Sequence, residues 1–488
     1  MSYIGIERRK NIKYPSKVEM IYPNEKYIEL PFEYEKYSED NQIFEMIRNL
    51  FILMKMDEEN FGKQEWNPFK EIIKEGNTVL IKPNLVLEKN EGNFGEECLY
   101  TNPSLVAAVI PYVWKALNKN GKIIVADAPI QSCDFEKLIE DSGYKDLIEY
   151  YKGKGVNIEL KDLRGLISKK ENGVLKQEIS TANDGGIVVD LKEESEHANL
   201  TKKQLHKIRI TNYNPNELLK HHNVNKHEYF VAKEALEADV VIDMPKPKSH
   251  RKSGVTISLK NFVGINTRKE YLPHHRFGDK KHGGDEYEKN SLLLKISSKL
   301  LDIVNWLQYK KIYLLARIVN KLSNICERAD KKFFSKEKNR EGSWHGNDTI
   351  WRTIIDLNKI IQYADKNGKL QKTKQRKVFA IGDMIIIGEK EGPLLPSPKY
   401  GGMIVMGENL VCFDEIVTAI FGFDINKIPL FQHLREKRNH PLVEEGNYGI
   451  IVSNDEQINN KTVEQITKRE AVNIEPTSGW KGFIELEK

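Results

Sequence analysis

A chain of 488 residues is long enough to bury a large core and to carry sizeable insertions beside it. Its content of 39% hydrophobic and 30% charged residues is typical of a globular, water-soluble protein. Its uninterrupted apolar runs are all shorter than the about 18 residues that a membrane-spanning helix needs, which argues against a transmembrane protein.

The chain opens on MSYIGIERRK, with no apolar stretch behind a basic start, and we therefore predict a cytoplasmic protein. Its cysteines are scattered without any CxxC spacing, at Cys98, Cys133, Cys326 and Cys412. This distribution argues against a cysteine-ligated zinc or an iron-sulfur cluster.

The formal net charge is only +5, but its distribution is uneven. Residues 244–282 hold ten Lys or Arg against two acids, a net charge of +8 that leaves −3 for the rest of the chain. A positive field confined to one segment favours a focused anion site over a coat for nucleic acid.

The first predicted element is an amphipathic helix at 44–56, within an N-terminal extension that packs on the core. The pattern then predicts, in chain order, a strand at 78–81, a helix at 109–118, a strand at 122–126, a helix at 135–141 and a strand at 156–160. Strand, helix and strand at this spacing predict a parallel βαβ unit.

A polar segment at 163–227 follows, and its Asn-Asp-Gly-Gly at 183–186 indicates a hairpin-bearing elaboration. The later predictions are a strand at 187–190, a helix at 230–236, a buried strand at 238–244, a long helical stretch at 291–329, a helix at 344–363 and strands at 377–387, 403–407 and 448–453. The pattern contains no internal repeat.

These elements predict an α/β fold with a mostly parallel, doubly wound sheet and helices on both faces. The predicted parts are an N-terminal extension (1–74), a first core part that carries a basic loop (75–270), a lid with a helical insertion (271–345), and a second core part with a C-terminal tail (346–488).

The basic loop at 244–266 is the strongest candidate site. Two prolines fix the backbone on alternate residues and so aim Lys246, Lys248 and His250. Thr256, Ser258 and Lys260 recur at period two and are expected to share one strand face, with Asn261 and Gly264 starting a turn. Ammonium groups, hydroxyls and a close glycine backbone suit a phosphate or a carboxylate. The alternative interpretation is a solvated basic loop.

Polar residues also follow the predicted strands at positions where a doubly wound sheet keeps its ligands. Lys82 and Asn84 leave the first strand, Asp127 leaves the second, and Asp383 follows a later one. Lys82 is expected to hold an anion, while Asp127 is a base, a metal ligand or a hydroxyl acceptor. Turn formation alone also accounts for these residues. Asp414 after 410–413 either converges on the same site or caps a helix.

A histidine-rich segment follows the basic loop. His274, His275 and His282 lie close to Asp279 and Asp285, and imidazoles with carboxylates can ligate a divalent metal, although no recognised metal-site spacing is present. A polar lid that closes over an anion is the other interpretation.

The order of several motifs resembles the family known as domain of unknown function 362. They are Ile81-Lys-Pro-Asn84, Asp127 after Ile-Val-Ala, Ala238 to Lys248, Val255 to Asn261 with Gly264, Asp383 with Glu391-Gly-Pro393, and Asp414, and together they cover about residues 78 to 425. The resemblance implies no established reaction. It implies functional roles for Lys246, Lys248, His250, Thr256, Lys260 and Asn261. Some relatives carry a ferredoxin-like segment with clustered cysteines, which this chain does not match.

Three functional hypotheses follow. The first is an enzyme that acts on an anionic small molecule, with His250 as general acid or base, with the lysines neutralising the anion, and with Asp127 or Asp383 orienting a proton carrier or a divalent metal. The second is a non-catalytic binder of a polyanion such as nucleic acid, against which stands the lack of an RGG tract or an interleaved aromatic platform. The third is a membrane-surface protein, for example in anionic polymer biosynthesis, that docks through 291–329. The same stretch also suits a core or a homo-oligomer interface.

Overall fold

A computed structural model describes residues 1–171, 174–180, 185–334 and 339–487. The strands are β1 (Ser2–Arg8), β2 (Thr78–Pro83), β3 (Lys122–Asp127), β4 (Ile158–Asp162), β5 (Leu166–Glu171), β6 (Val174–Ile179), β7 (Gly186–Asp190), β8 (Ile208–Arg209), β9 (His222–Asn223), β10 (Lys226–Ala232), β11 (Val240–Met244), β12 (Lys248–His250), β13 (Gly254–Thr256), β14 (His275–Arg276), β15 (Lys377–Glu391), β16 (Leu395–Gly407) and β17 (Gly449–Ser453).

The helices alternate with these strands along much of the chain. They are α1 (Ile43–Leu53), α2 (Pro103–Ala116), α3 (Phe135–Ser142), α4 (Tyr144–Gly153), α5 (Lys202–Leu205), α6 (Pro215–His221), α7 (Lys233–Glu237), α8 (Ser258–Asn261), α9 (Leu292–Tyr309), α10 (Tyr313–Phe333), α11 (Ile350–Tyr363), α12 (Leu410–Ile420) and α13 (Pro429–Leu434).

The main sheet has the strand order β17-β1-β16-β15-β11-β2-β3-β4. Strands β15, β11, β2, β3 and β4 pair in parallel, as do β1 and β17, while β16 runs antiparallel to both of its neighbours. The predicted α/β fold with a mostly parallel sheet is therefore confirmed.

Hydrophobic cores lie on both faces of the sheet, because successive side chains of a strand point to opposite faces. On β2, Val79 and Ile81 join the core that holds α1 to α4, whereas Leu80 joins the core that holds α11, α12 and α13. All three side chains are fully buried. Such two-sided burial accounts for the continuous apolar run of this strand.

The strand order reverses direction at β2. From β2 the chain proceeds to β3 and β4 on one side, and it later returns to β11 and β15 on the other side. Loops that leave neighbouring parallel strands on opposite sides open a crevice at the carboxyl ends of those strands. The segments after β2 and β11 both begin at this point.

Several elements differ from the sequence predictions. Strand β1 lies within the main sheet, between β16 and β17, so residues 1–74 contribute to the core rather than only packing on it. The helix predicted at 230–236 begins too early, because residues 230–232 belong to strand β10 and only residues 233–236 lie in the short helix α7. The local pattern missed both because strand pairing over long distances overrides local propensity.

The region after 163 contains a hairpin, β5 and β6, but this hairpin precedes the Asn-Asp-Gly-Gly segment from which one was predicted. The strand after that segment, β7, pairs with β10 instead. Asn183 and Asp184 of the predicted turn lie outside the described residues. The helical insertion forms α9 and α10, which pack against each other around Val304, Leu307 and Ala316.

Candidate functional site

The first component of the site is a buried ion pair at the carboxyl ends of β2 and β3. Lys82 Nζ donates to Asp127 Oδ1 at 2.8 Å, and both side chains are almost fully buried. Asp127 Oδ2 accepts from the backbone N–H of Leu85 at 2.8 Å. Gly264 presses its backbone against this pair, since a Cβ added there would lie 2.0 Å from Asp127 Oδ1. Only glycine permits that approach.

A chain of hydrogen bonds connects the segment after β2 to β11 and α8. Lys248 Nζ donates to Asn84 Oδ1 at 2.7 Å, and Asn84 Nδ2 donates to Asn261 Oδ1 at 3.0 Å. Asn261 Nδ2 in turn donates to Asp243 Oδ1 at 2.7 Å. Burial raises the pKa of Asp243 to about 7. The chain therefore ends on a carboxyl group that carries only part of a negative charge near neutral pH.

A second buried ion pair lies beside the first. Lys246 Nζ is 3.0 Å from Asp383 Oδ2, and Tyr14 donates its hydroxyl to Asp383 Oδ1 at 2.5 Å while accepting from Lys246 Nζ at 2.6 Å. Asp383 does not follow a strand, as the sequence suggested, but lies inside β15. The pairing register of β15 with β16 shifts between Met384 and Ile386, and such a bulge re-aims neighbouring side chains.

The hydrogen bonds of His250 determine which of its ring nitrogens carries the proton. Its Nδ1 accepts from the backbone N–H groups of Lys252 at 3.0 Å and Ser253 at 3.2 Å, so the proton of the neutral ring sits on Nε2. Burial, followed by the charge of Lys260, holds the pKa of His250 well below its usual value of 6.5. This histidine is a neutral hydrogen-bond donor at cellular pH.

Two cations of the basic loop have side chains without any partner in the part of the chain that the structure describes. They are Arg251 and Lys260, and both are partly exposed. Burial of the ammonium group and the charge of Lys269 lower the pKa of Lys260 to about 7. Lys260 therefore titrates near neutral pH and lies open to a ligand.

Three further lysines of this region bind only neutral oxygen atoms. Lys248 donates to Asn84 and to the carbonyl of Leu99, Lys252 to the hydroxyl of Thr211 and the carbonyl of Glu341, and Lys269 to the carbonyls of Ala128, Val263 and Asn266. Burial lowers the pKa of Lys248 to about 7 and the pKa values of Lys252 and Lys269 to about 8.

The hydroxyl of Thr256, a predicted ligand-binding residue, is buried without a hydrogen-bond partner among the described residues. The buried hydroxyl of Ser258 faces Asp243 and acts to lower the pKa of that carboxyl group. The expected strand ends at Thr256, and Ser258 and Lys260 lie on α8 instead of sharing a strand face. The cause is Asp414, which lies in α12 and accepts from the backbone N–H groups of Ser258 at 2.9 Å and Leu259 at 3.0 Å. This carboxyl group starts the helix by satisfying its free amides.

The site therefore holds more positive charge than its carboxylates balance. Asp127 and Asp383 are each paired with one lysine. Within the described part of this site, five cations have no carboxylate within 4.0 Å: Lys248, Arg251, Lys252, Lys260 and Lys269. Burying unpaired charge is unfavourable, and a bound anion would offset that cost. Among the residues in this cluster are four lysines with lowered pKa values.

The three candidate metal ligands do not form one group. His274 Nδ1 lies 2.8 Å from the carbonyl of Leu272, and His282 Nδ1 lies 2.8 Å from Asp279 Oδ1, while His275 Nδ1 is buried without a partner. Over the described ranges, no group of three or more His, Cys, Asp or Glu residues is arranged to hold a metal ion. His274 instead lies near the cation cluster, and Lys252 and Lys260 help to lower its pKa.

Sequence reasoning did not assign roles to Tyr14, Arg251, Lys252, Asp243 or Lys269. Arg251, Lys252 and Lys269 were counted in the charge of the segment, and that charge was the signal that pointed to them. Tyr14 gave no signal, because it reaches the site from a segment 232 residues earlier than Lys246.

A cavity of about 800 Å³ lies at the opposite end of the strands, near the amino ends of β2, β11 and β15. Its lining residues include Asn77, Val240 and Lys377, none of which belongs to the cation cluster. We place the candidate site at the cluster rather than in this cavity, because the cluster has unsatisfied donors and unbalanced charge.

Fold and site together define an α/β protein with a buried basic centre at the reversal point of a doubly wound sheet. The sequence profile of the family described as "Domain of unknown function (DUF362)" matches residues 79–184 and 189–419, which is more than half of the chain. The chain belongs to this family, as its motifs suggested.

A curated relative is the thylakoid-associated protein of Synechocystis sp., which is 27% identical over 192 residues. The match covers 39% of this chain and 40% of that protein, so the chain spans less than half the length of this relative. Among the helices of the described ranges, none combines the length and the apolar character needed to cross a membrane.

Proposed function

We propose that this protein is a cytoplasmic enzyme that binds an anionic small molecule, phosphorylated or carboxylated, at the cation cluster. The observation that carries the proposal is the group of five cations without a carboxylate partner, two of which, Arg251 and Lys260, lack any side-chain partner in the described structure. A buried excess of positive charge is stabilised by an anion.

The unpartnered donors give each residue a role in holding the anion. Arg251 and Lys260 supply charge and direct hydrogen bonds, and His250 donates from Nε2. The hydroxyl of Thr256 supplies a neutral donor, since it is buried without a partner among the described residues.

The lowered pKa values change the expected roles in proton transfer. His250 is a poor general acid or base at neutral pH, because its pKa lies well below 6.5 and its Nδ1 is occupied. Lys260, with a pKa of about 7, suits proton transfer near neutral pH. Asp127 and Asp383 orient Lys82 and Lys246 through ion pairs and are less suited to hold a metal.

Burial favours a small molecule over a polymer. Lys248, Lys252 and Lys269 are each at most 9% exposed, so the backbone of a nucleic acid has no access to them. Nucleic-acid binding instead depends on cations that reach the phosphates at the surface.

The test is calorimetric titration with inorganic phosphate, acetate and 3-phosphoglycerate at pH 8, in two buffers that differ in ionisation enthalpy. An anion stabilises the charged form of a lysine, so binding at pH 8 is expected to take up protons at the lysines with lowered pKa values, Lys260 among them. Lys260→Met should reduce this proton uptake by about one proton and weaken binding. The control is Lys137→Met, which removes an exposed lysine paired with Asp141 on α3.

Turnover is measured by mass spectrometry of a mixture of phosphorylated and carboxylated metabolites. The wild-type protein should convert at least one of them, and Lys260→Met should not. Anion binding without conversion of any metabolite would contradict the enzyme proposal and indicate a binding protein. An absence of binding, or binding that Lys260→Met leaves unchanged, would contradict the proposed site.

A further inference from the structure

The insertion formed by α9 and α10 exposes an unusual amount of apolar surface. On α10, Leu314, Ile318, Leu322 and Ile325 are 72%, 51%, 49% and 60% exposed. Their spacing of three or four residues places them on one side of the helix, opposite a buried side that includes Ala316 and Ser323. A helix that only filled a core would not leave such a stripe in solvent.

Basic side chains run along this apolar stripe. Arg317, Lys321 and Arg328 are exposed and occupy a third side of α10, next to the apolar one. Residues 291–334 contain nine Lys or Arg against three Asp or Glu, a net charge of +6. Two of these acids are engaged elsewhere, Asp302 by Arg209 and Glu327 by Arg340.

The first helix of the pair adds to the same character. Leu292, Ile296, Ile303 and Trp306 of α9 are between 40% and 73% exposed. Tyr309 and Ile312, at the turn between the helices, are also exposed. Amphipathic helices that lie in the plane of a membrane surface combine an apolar side carrying Trp, Phe and Leu with a row of Lys and Arg.

We propose that the α9–α10 hairpin docks on an anionic lipid surface, with the apolar stripe in the boundary of the acyl chains and the basic stripe against the headgroups. Charge selects this occupant over a second copy of the chain. Two copies packed through the same stripe would bring their basic rows together, whereas anionic headgroups neutralise them. The hairpin lies on the surface and does not cross it, in agreement with the lack of a spanning helix in the described part of the chain.

The body of the protein holds the hairpin in place. Arg209 Nε donates to Asp302 Oδ1 at 3.0 Å, and Ser298 donates its hydroxyl to Glu286 at 2.6 Å. Docking is therefore expected to fix the orientation of the whole protein on the membrane rather than only tether it.

The test is flotation of the full chain with vesicles of phosphatidylcholine alone and with mixed vesicles of phosphatidylcholine and phosphatidylglycerol. The wild-type protein should float only with the mixed vesicles and should be released by salt. Leu314→Ser/Ile318→Ser/Leu322→Ser should stay in solution. These residues are exposed, so the triple variant should unfold at the same urea concentration as the wild type.

Charge and position are controlled separately. Arg317→Gln/Lys321→Gln should bind mixed vesicles about 30-fold more weakly, since each basic residue near an anionic surface contributes about 1 kcal/mol. Val18→Ser/Val224→Ser replaces two residues that are 68% and 60% exposed elsewhere and should float like the wild type.

Three results would overturn the proposal. One is a wild-type protein that floats with neither kind of vesicle. Another is a triple variant that floats as well as the wild type. The third is a dimer, or a complex with an acidic protein, that the triple variant dissociates while vesicle binding is absent.

Discussion

Replacing Gly264 by alanine should disrupt the ion pair at the centre of the site. The new Cβ would lie 2.0 Å from Asp127 Oδ1 and 2.8 Å from Lys82 Nζ. Carbon and oxygen atoms need about 3.3 Å, so the carboxylate would have to move by more than about 1 Å. That movement breaks the 2.8 Å contacts of Asp127 with Lys82 Nζ and with the backbone N–H of Leu85.

The expected loss of stability follows from this geometry. Removing one partner of a buried ion pair costs about 3–5 kcal/mol, because it leaves an unpaired charge away from water, and separating the two charges should cost a similar amount. The free energy of unfolding should therefore fall by roughly this amount, as measured by urea denaturation followed by tryptophan fluorescence. Anion binding should weaken in parallel, since Gly264 and Lys82 adjoin the cation cluster.

The matched control is Gly153→Ala. Gly153 ends α4, and a Cβ added there has no heavy atom within 4 Å. This variant should be neutral or more stable by about 0.4–1 kcal/mol. If Gly264→Ala lowers the free energy of unfolding by less than about 1 kcal/mol, the contact between Gly264 and Asp127 is not as close as described, and the argument fails.

Three further predictions concern single side chains. Burial lowers the pKa of His227 from 6.5 to about 4, so the unfolded chain binds a proton at a higher pH than the folded protein does. The free energy of unfolding should therefore fall by about 3 kcal/mol as the pH drops from 6.5 to 4. Urea denaturation of the wild type and of His227→Gln at both pH values checks this. Thr256→Val removes a buried hydroxyl without a described partner, so the ligand-free protein should gain about 1 kcal/mol in thermal denaturation while phosphate affinity falls; a loss of stability would mean that the hydroxyl is structural. Tyr14→Phe removes the hydroxyl between Lys246 and Asp383 and should cost about 1.5–3 kcal/mol in urea denaturation, with exposed Tyr3→Phe as the neutral control.

The strand ends of the first half of the chain were predictable because local signals agree there. The run before Lys82 and the run before Asp127 are both short, apolar and followed by turn residues, and parallel strands bring such ends to one edge. Asn84 and Asn261 were assigned to ligand binding from two separate motifs, and the structure joins them by a hydrogen bond.

The parts that sequence reasoning missed depend on contacts between distant segments. The period-two pattern of Thr256, Ser258 and Lys260 suggested a strand. Instead, the backbone N–H groups of Ser258 and Leu259 donate to the carboxyl group of Asp414, and a short helix begins there. Tyr14 contacts Asp383 across 369 residues of sequence, and no local periodicity encodes that distance. The lowered pKa of Lys260 likewise depends on burial and on cations from several loops.

The position of β1 also constrains how the protein is made. Ser2–Arg8 pairs with Met403–Gly407 on one side and with Gly449–Ser453 on the other. A ribosome that adds about 5–20 residues per second therefore synthesises the partners of this strand roughly 20–80 seconds after the strand itself. During that interval the nascent chain carries an unpaired apolar strand, which is a target for chaperones. Tyr14 follows β1 in the sequence and contacts the ion pair of Lys246 and Asp383. This arrangement is therefore complete only after Asp383 has been synthesised and the segment of Tyr14 has packed against it.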